Sequence, residues 1–211
     1  KNKKEPVTCI IGGSKISSKI KVITNLIKEV NNIIIVGAMA NNFFVYKNFK
    51  VGKSLVEKDT NEIIKNIYKK AEDNDCDILI PEDCVVGTHF DGEGKNKYLG
   101  DIQKDEIILD IGDKTIKNII KKINQSKTIL WNGPAGYFEN DYFSKGTLSI
   151  AEIISKNTNE KSMVSVIGGG DTIAAIKKSK SKLFFSLLST AGGAFLEYLE
   201  GKDLPGISVL K

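Results

Sequence analysis

The chain has 211 residues, 41% of them apolar, and a net charge of +5. That length suffices for one domain with a sizeable core, so covalent staples are not required. Three cysteines and one histidine exclude a secreted-type disulfide framework and fit no zinc-ligand spacing.

Every basic residue other than His89 is a lysine; arginine does not occur. Arginine is the favoured bidentate clamp for carboxylates and phosphates. Tight binding of an acidic ligand must therefore rest on lysines, backbone amides or another chain. The lysines alternate with acids and lack aromatic interleaving, which argues against a nucleic-acid partner. No apolar run approaches the ~20 residues of a membrane span, and Lys1 to Pro6 do not read as a signal peptide. These features predict a cytoplasmic protein with reduced thiols and no membrane partner.

Apolar runs set against turn signals give the element order. Val7 to Ile11 is a strand that stops at Gly12-Gly13. Ile16, Ile20, Ile23 and Ile27 then predict a helix over 16–30. Ile33 to Val36 is the next strand, ending at Gly37, with a helix from Ala40 to Tyr46. Asn61 to Glu72 reads as a helix and Asp77 to Ile80 as a strand. Residues 83–103 read as loop-rich around the turn cluster Asp91-Gly92-Glu93-Gly94, with Cys84 to Val86 as a possible short strand. Ile107 to Ile111 is an apolar run, followed by a helix over 115–123. Thr128 to Trp131 runs into Asn132-Gly133-Pro134, and 147–155 is helical. Met163 to Ile167 runs into Gly168-Gly169-Gly170-Asp171 and a helix. Phe184 to Leu188 runs into Ser189-Thr190-Ala191-Gly192-Gly193 and another helix.

Strand, glycine turn and helix thus recur along the chain. Continuous apolar strands alternating with helices predict an α/β fold: a doubly wound, Rossmann-like three-layer sandwich around a mainly parallel six-stranded sheet. No linker or repeat divides it, so residues 1–211 are read as a single domain. Right-handed crossovers place all strand C-terminal ends on one edge, where such sheets bind ligands. The glycine turns after Ile11, Val36, Trp131, Ile167 and Leu188 should therefore meet in one crevice. Glycines let backbone N–H groups approach a phosphate, and a following helix start adds partial positive charge. Asp171 suits either a helix cap or a magnesium ion. Lys15 and Lys19, spaced i,i+4, would share a helix face with an anion between them. Glu139, beyond the rigid turn at Pro134, could reach ribose hydroxyls, while Trp131 reads as core. Neither the P-loop nor the dinucleotide fingerprint is present. His89 and the charged stretches 47–50 and 177–182 read as surface.

Gly12 to Lys19, Trp131-Asn132-Gly133-Pro134, Gly168 to Thr172 and Leu204-Pro205-Gly206, in this order, resemble phosphoglycerate kinase. Gly52-Lys53-Ser54-Leu55 and Leu196 to Lys202 are similar to that family too. The resemblance is to the C-terminal, nucleotide-binding half alone, and implies that the N-terminal phosphoglycerate-binding half is missing. It further implies a monomer that binds ATP or ADP with Mg2+. The whole enzyme would move a phosphoryl group between 1,3-bisphosphoglycerate and ADP, giving 3-phosphoglycerate and ATP, and this half alone would be catalytically incomplete.

The implied roles fall on particular residues. Lys19 would contact the transferred phosphoryl group and Lys15 would stabilise transition-state charge. Asp171 would hold magnesium-nucleotide, with Gly169, Gly170 and Thr172 around the phosphates. Glu139 would bind the ribose. Gly12, Gly13, Ser14, Gly37, Asn132, Pro134 and Ala135 would line the base and sugar pocket. Gly192 and Gly193 would open a helix facing the transferred phosphate. Ile108 borders the base where the family usually has glycine, and its branched side chain is expected to narrow the pocket. Together with Ser18, Ala38 and Ala191, it keeps open an alternative: a degenerate nucleotide-binding module without catalysis.

Overall fold

The computed structural model describes residues 3–204 and 208–209. Six strands form one sheet: β1 (Val7–Ile11), β2 (Asn32–Ile35), β3 (Asp77–Leu79), β7 (Thr128–Asn132), β8 (Val164–Gly168) and β9 (Leu187–Ser189). Their order is β3-β2-β1-β7-β8-β9, and every pairing is parallel. Between β3 and β7 in the chain lies a second, three-stranded antiparallel sheet. It comprises β4 (Asp83–Gly87), β5 (Lys95–Tyr98) and β6 (Ile107–Ile111), in the order β5-β4-β6.

The helices are α1 (Ile20–Leu26), α2 (Ala40–Tyr46), α3 (Asn61–Glu72), α4 (Asp113–Gln125), α5 (Lys145–Glu160), α6 (Gly170–Lys177) and α7 (Gly193–Leu199). Strand side chains alternate between faces, and the core divides accordingly. Cys9, Ile11, Ile33 and Ile35 pack with Ile23 of α1, Phe43 of α2, Ile67 of α3 and Phe195 of α7. Ile10, Ile34, Ile129, Trp131 and Ile167 pack with Ile119 of α4, Ile154 of α5 and Ile176 of α6. Helices thus cover both faces, which gives the three layers expected. The main sheet is wholly parallel.

Three differences from the sequence reading have physical causes. The first helix begins at Ile20 rather than Ile16. Ile16 is fully buried as the spacing implied, but its segment follows Gly13 at φ +136° and closes only a turn, with the Lys19 amide donating to the Ile16 carbonyl. The stretch 83–103 contains the β4–β5 hairpin. Strand β5 reads Lys-Asn-Lys-Tyr and is largely exposed, so it carries no apolar alternation to betray it. The last strand starts at Leu187 rather than Phe184. It is an edge strand with Leu187 and Leu188 exposed, so its apolar run does not mark burial.

The chain runs outward from β1 through β2 to β3, then returns to place β7 on the other side of β1. The point of reversal lies between β1 and β7. In open parallel sheets, ligands bind outside the strand ends at such a point.

Candidate functional site

The loops after β1 and β7 are locked together. The Gly12 amide donates to the Asn132 carbonyl at 2.8 Å. A Cβ on Gly12 would overlap the Pro134 carbonyl oxygen and lie 2.7 Å from that of Gly133. A Cβ on Gly37 would lie 2.8 Å from the Gly13 nitrogen and 3.1 Å from the Pro134 oxygen. Gly12, Gly37 and Gly133 therefore serve backbone against backbone. Gly170, Gly192 and Gly193 differ: a Cβ on any of them meets nothing within 4 Å. These three glycines leave open space over the starts of α6 and α7.

A cleft of about 520 Å³ opens at the switch point, within the size range of small-molecule sites. Gly13, Ser14, Gly37, Pro134, Ala135, Ile108, Glu139 and Asp171 all line it. Ile108 thus stands in the wall of this cleft. The other wall residues are mostly apolar and include Leu55, Phe90 and Tyr137. Sequence reasoning assigned no role to Phe90 or Tyr137. Their rings meet edge to face, with centroids 5.1 Å apart, and join the β4–β5 hairpin to the loop after β7. No spacing in the sequence links positions 47 residues apart on two loops.

Beside the cleft sits a polar cluster. Lys19 Nζ donates to Asn132 Oδ1 at 2.6 Å. Asn132 Nδ2 donates to the Gly168 carbonyl at 2.8 Å. A lysine only donates and a carbonyl only accepts, so these partners fix the amide orientation. Burial holds the Lys19 ammonium below the ordinary lysine range, opposed by the nearby Asp171 and Glu200 carboxylates. Lys15, by contrast, is exposed, and neither lysine lies within a regular helix. The shared helix face expected from their spacing does not form, because the segment 12–19 is loop and turn.

Asp171 lies in the first turn of α6, exposed, after Gly169 at φ +102°. A Cβ at Gly169 would lie 2.7 Å from Asn132 Nδ2, so the tight turn brings the α6 start onto the Lys19–Asn132 pair. The Thr172 hydroxyl is turned inward. It accepts from the Gly133 amide at 2.7 Å and donates to the Gly168 carbonyl at 3.0 Å, tying the β7 and β8 loops together. Among the described residues, no group of three or more His, Cys, Asp or Glu is placed to hold a metal.

Lys178 lies in the charged stretch 177–182, which the sequence marks as surface. It is exposed, as that reading holds, and it also caps the Glu139 loop, donating to the Phe138 and Glu139 carbonyls at 2.8 Å each. Trp131 is fully buried, and its indole donates to the Gly133 carbonyl at 2.7 Å. Of the motif Leu204-Pro205-Gly206, positions 205 and 206 lie outside the described residues.

These features define a doubly wound α/β domain with a ligand cleft at the switch point of its parallel sheet. A family model described as phosphoglycerate kinase matches residues 1–202, and the chain belongs to that family. A phosphoglycerate kinase of Chelativorans sp. is 42% identical over 210 residues, 99% of this chain and 53% of the relative. One from Xanthobacter flavus is 43% identical over 208 residues, 98% of this chain and 52% of the relative. The structure of phosphoglycerate kinase from Coxiella burnetii superposes with a TM-score of 0.89 at 36% identity, covering 99% of this chain and 53% of that one. The chain therefore spans about half the length of the relatives it matches.

Proposed function

We propose that this chain is the nucleotide-binding half of a phosphoglycerate kinase, a single domain that takes ATP or ADP in the switch-point cleft. The observation that carries the proposal is the meeting of two surfaces. An apolar cleft of about 520 Å³ adjoins a polar cluster of Lys19, Asn132 and Asp171 beside three glycines open to space. A base and ribose suit the first, and a phosphate chain suits the second.

Each residue has a physical role in this reading. Ile108, Pro134, Ala135 and Gly37 pack the base, and Glu139 accepts from ribose hydroxyls. Ser14 and Gly13 border the sugar. Lys19, already half-desolvated, offers its ammonium to the phosphates, where charge interactions are stronger than in water. Lys15 reaches the transferred group from the exposed turn. Amides at the start of α6 and at Gly193 donate to phosphate oxygens. A magnesium ion entering with the nucleotide would neutralise phosphate charge; such ions take one or two protein carboxylates and complete their shell with phosphates and water, which fits a lone Asp171. Phosphoryl transfer is chiefly positioning and charge neutralisation, so this set of groups suffices for its half of the task.

The full reaction, 1,3-bisphosphoglycerate with ADP to 3-phosphoglycerate and ATP, then requires a phosphoglycerate-binding half that these residues do not provide. With no arginine in the chain, any arginine clamp on phosphoglycerate would come from that other half. The domain acts as a monomer in the cytoplasm, without nucleic-acid or membrane partners. No helix among the described residues is long and apolar enough to cross a membrane.

Calorimetric titration of the purified chain with magnesium-ADP tests the assignment. Saturable one-to-one binding is expected, with no turnover until the complementary half is supplied in trans. No heat at millimolar nucleotide would overturn the site.

A further inference from the structure

Asp110 is a carboxylate that no part of the proposed chemistry uses. It sits in β6, only 2% exposed, and borders the cleft beside Ile108 and Leu109. Its two oxygens are spent on backbone amides. Oδ1 accepts from the Ile111 amide at 2.8 Å, and Oδ2 accepts from the Gly146 amide at 2.7 Å, in the first turn of α5. The space around it is closed. A Cβ on Gly136 would overlap Oδ1 and lie 2.6 Å from both the Asp110 Cγ and the Phe143 carbonyl oxygen. A Cβ on Gly146 would overlap Oδ1 as well. Beside this point, the Tyr137 amide donates to the Leu109 carbonyl at 2.7 Å. The carboxylate therefore bonds its own strand, which carries Ile108, and the start of α5, and packs without space to spare against Gly136 in the loop carrying Pro134 to Glu139.

We propose that Asp110 is a positioning residue for the nucleotide, whose ionised carboxylate clamps these three segments into the base-side wall of the cleft.

This rests on the nucleotide reading above for what fills the cleft; the clamp itself does not. Two backbone N–H groups need two acceptors. The carboxylate supplies both, whereas a protonated acid converts one oxygen into a donor. A buried carboxylate without a cation in contact ionises reluctantly. Burial pushes Asp110 up to about 7, against the pull of the Gly146 and Ile111 amides and of Lys145. Several other charged and titratable groups on the packed elements have partners of their own. Lys145 at the start of α5 is bonded to Asp113 at 2.7 Å. On β4, Asp83 is bonded to Thr115, and burial keeps the Cys84 thiol protonated. The loop carries Tyr137 and Glu139. In the turn before α5, Asp141 pairs with Lys178 at 3.3 Å and the Tyr142 hydroxyl donates to Glu93. Protonation of Asp110 should therefore weaken the clamp within the neutral range.

The test combines two measurements on the 211-residue chain. Magnesium-ADP affinity is measured by calorimetry between about pH 6 and pH 8.5 for the parent, Asp110→Asn and Asp110→Glu. The parent should bind about fivefold more weakly at the acid end, and Asp110→Asn should bind about tenfold more weakly than the parent at the alkaline end with a flat profile. Asp110→Glu keeps the charge and should recover part of both the affinity and the pH slope. The second measurement needs neither ligand nor variant: the Ile111 and Gly146 amide resonances of the parent should move together along one titration curve. A parent-like pH profile in Asp110→Asn overturns the proposal, as do amide resonances that do not titrate. If the parent binds no nucleotide while both amides titrate together, the nucleotide reading fails and the clamp stands.

Discussion

Replacing Gly12 and Gly170 separately by alanine tests the division of the glycine turns into two kinds. At Gly12 the added methyl would overlap the Pro134 oxygen and sit 2.7 and 2.8 Å from the oxygen and carbon of Gly133. All three are backbone atoms at the junction of β1 and β7, the middle of the sheet, and no rotamer change can relieve them. Overpacking costs roughly 1–3 kcal/mol where side chains can give way, so the upper end or more applies here. For a chain of this length, about 3 kcal/mol corresponds to a fall in Tm of roughly 6–12 °C. At Gly170 the methyl meets nothing within 4 Å and stands at the first residue of α6. Alanine there should leave stability unchanged or raise it by up to ~1 kcal/mol. The same methyl would occupy the space assigned to phosphate and lower nucleotide affinity by about tenfold or more. Thermal unfolding followed by circular dichroism, beside calorimetry, separates the two effects. A Gly12→Ala variant as stable as its parent would refute the reasoning, as would a Gly170→Ala variant that binds normally.

Asn132→Leu keeps the bulk of the side chain but leaves Lys19 without its Oδ1 acceptor and removes one of two side-chain donors to the Gly168 carbonyl, the Thr172 hydroxyl remaining. A loss of roughly 1–3 kcal/mol in urea unfolding is expected, together with weaker nucleotide binding. Lys178→Met removes the donor to the Phe138 and Glu139 carbonyls. Stability should change by less than about 1 kcal/mol because the lysine is partly exposed, while hydrogen exchange in the 137–140 loop rises and nucleotide affinity falls severalfold. Burial pushes Asp83 up, but its bonds from Thr115, the Lys114 amide and Asn96 outweigh this and hold it below the ordinary aspartate range. A depressed carboxylate stabilises the fold above its unfolded value and ceases to do so as pH falls through the folded one. Asp83→Ala should therefore destabilise the chain at neutral pH, and the gap to the parent should close below about pH 4 in pH-dependent urea melts.

Much of this architecture is legible from the residues. Ile10 and Ile11, or Ile34 and Ile35, lie in unbroken apolar runs, and both neighbours are buried because helices cover both faces. That is how a parallel sheet writes itself in sequence. The β4–β5 hairpin is not legible, since Lys95 to Tyr98 are polar or exposed and carry no apolar alternation, and the bonds of Asn96 to Asp83 and of Lys97 to Glu106 join residues that no sequence period links. Nor can spacing separate Gly12 from Gly170. Both follow strands in glycine-rich turns, and only the opposing chain decides which is filled and which is open. Lys178 shows the same limit: a lysine in a lysine-rich stretch becomes a loop cap because two carbonyls 39 and 40 residues away converge on it. The wall aromatics Phe90 and Tyr137 belong to this class of feature too.

Trp131 is the single tryptophan of the chain. It is fully buried under the Gly133 turn and hydrogen-bonded to it. Under excitation selective for tryptophan, its emission is therefore a single-site optical signal from beneath the Gly133 turn. A ligand that draws on the turn at Gly133 alters the indole's bond, and so its colour, without touching the ring. The domain carries its own fluorescent gauge of site geometry, and no dye need be attached to read it.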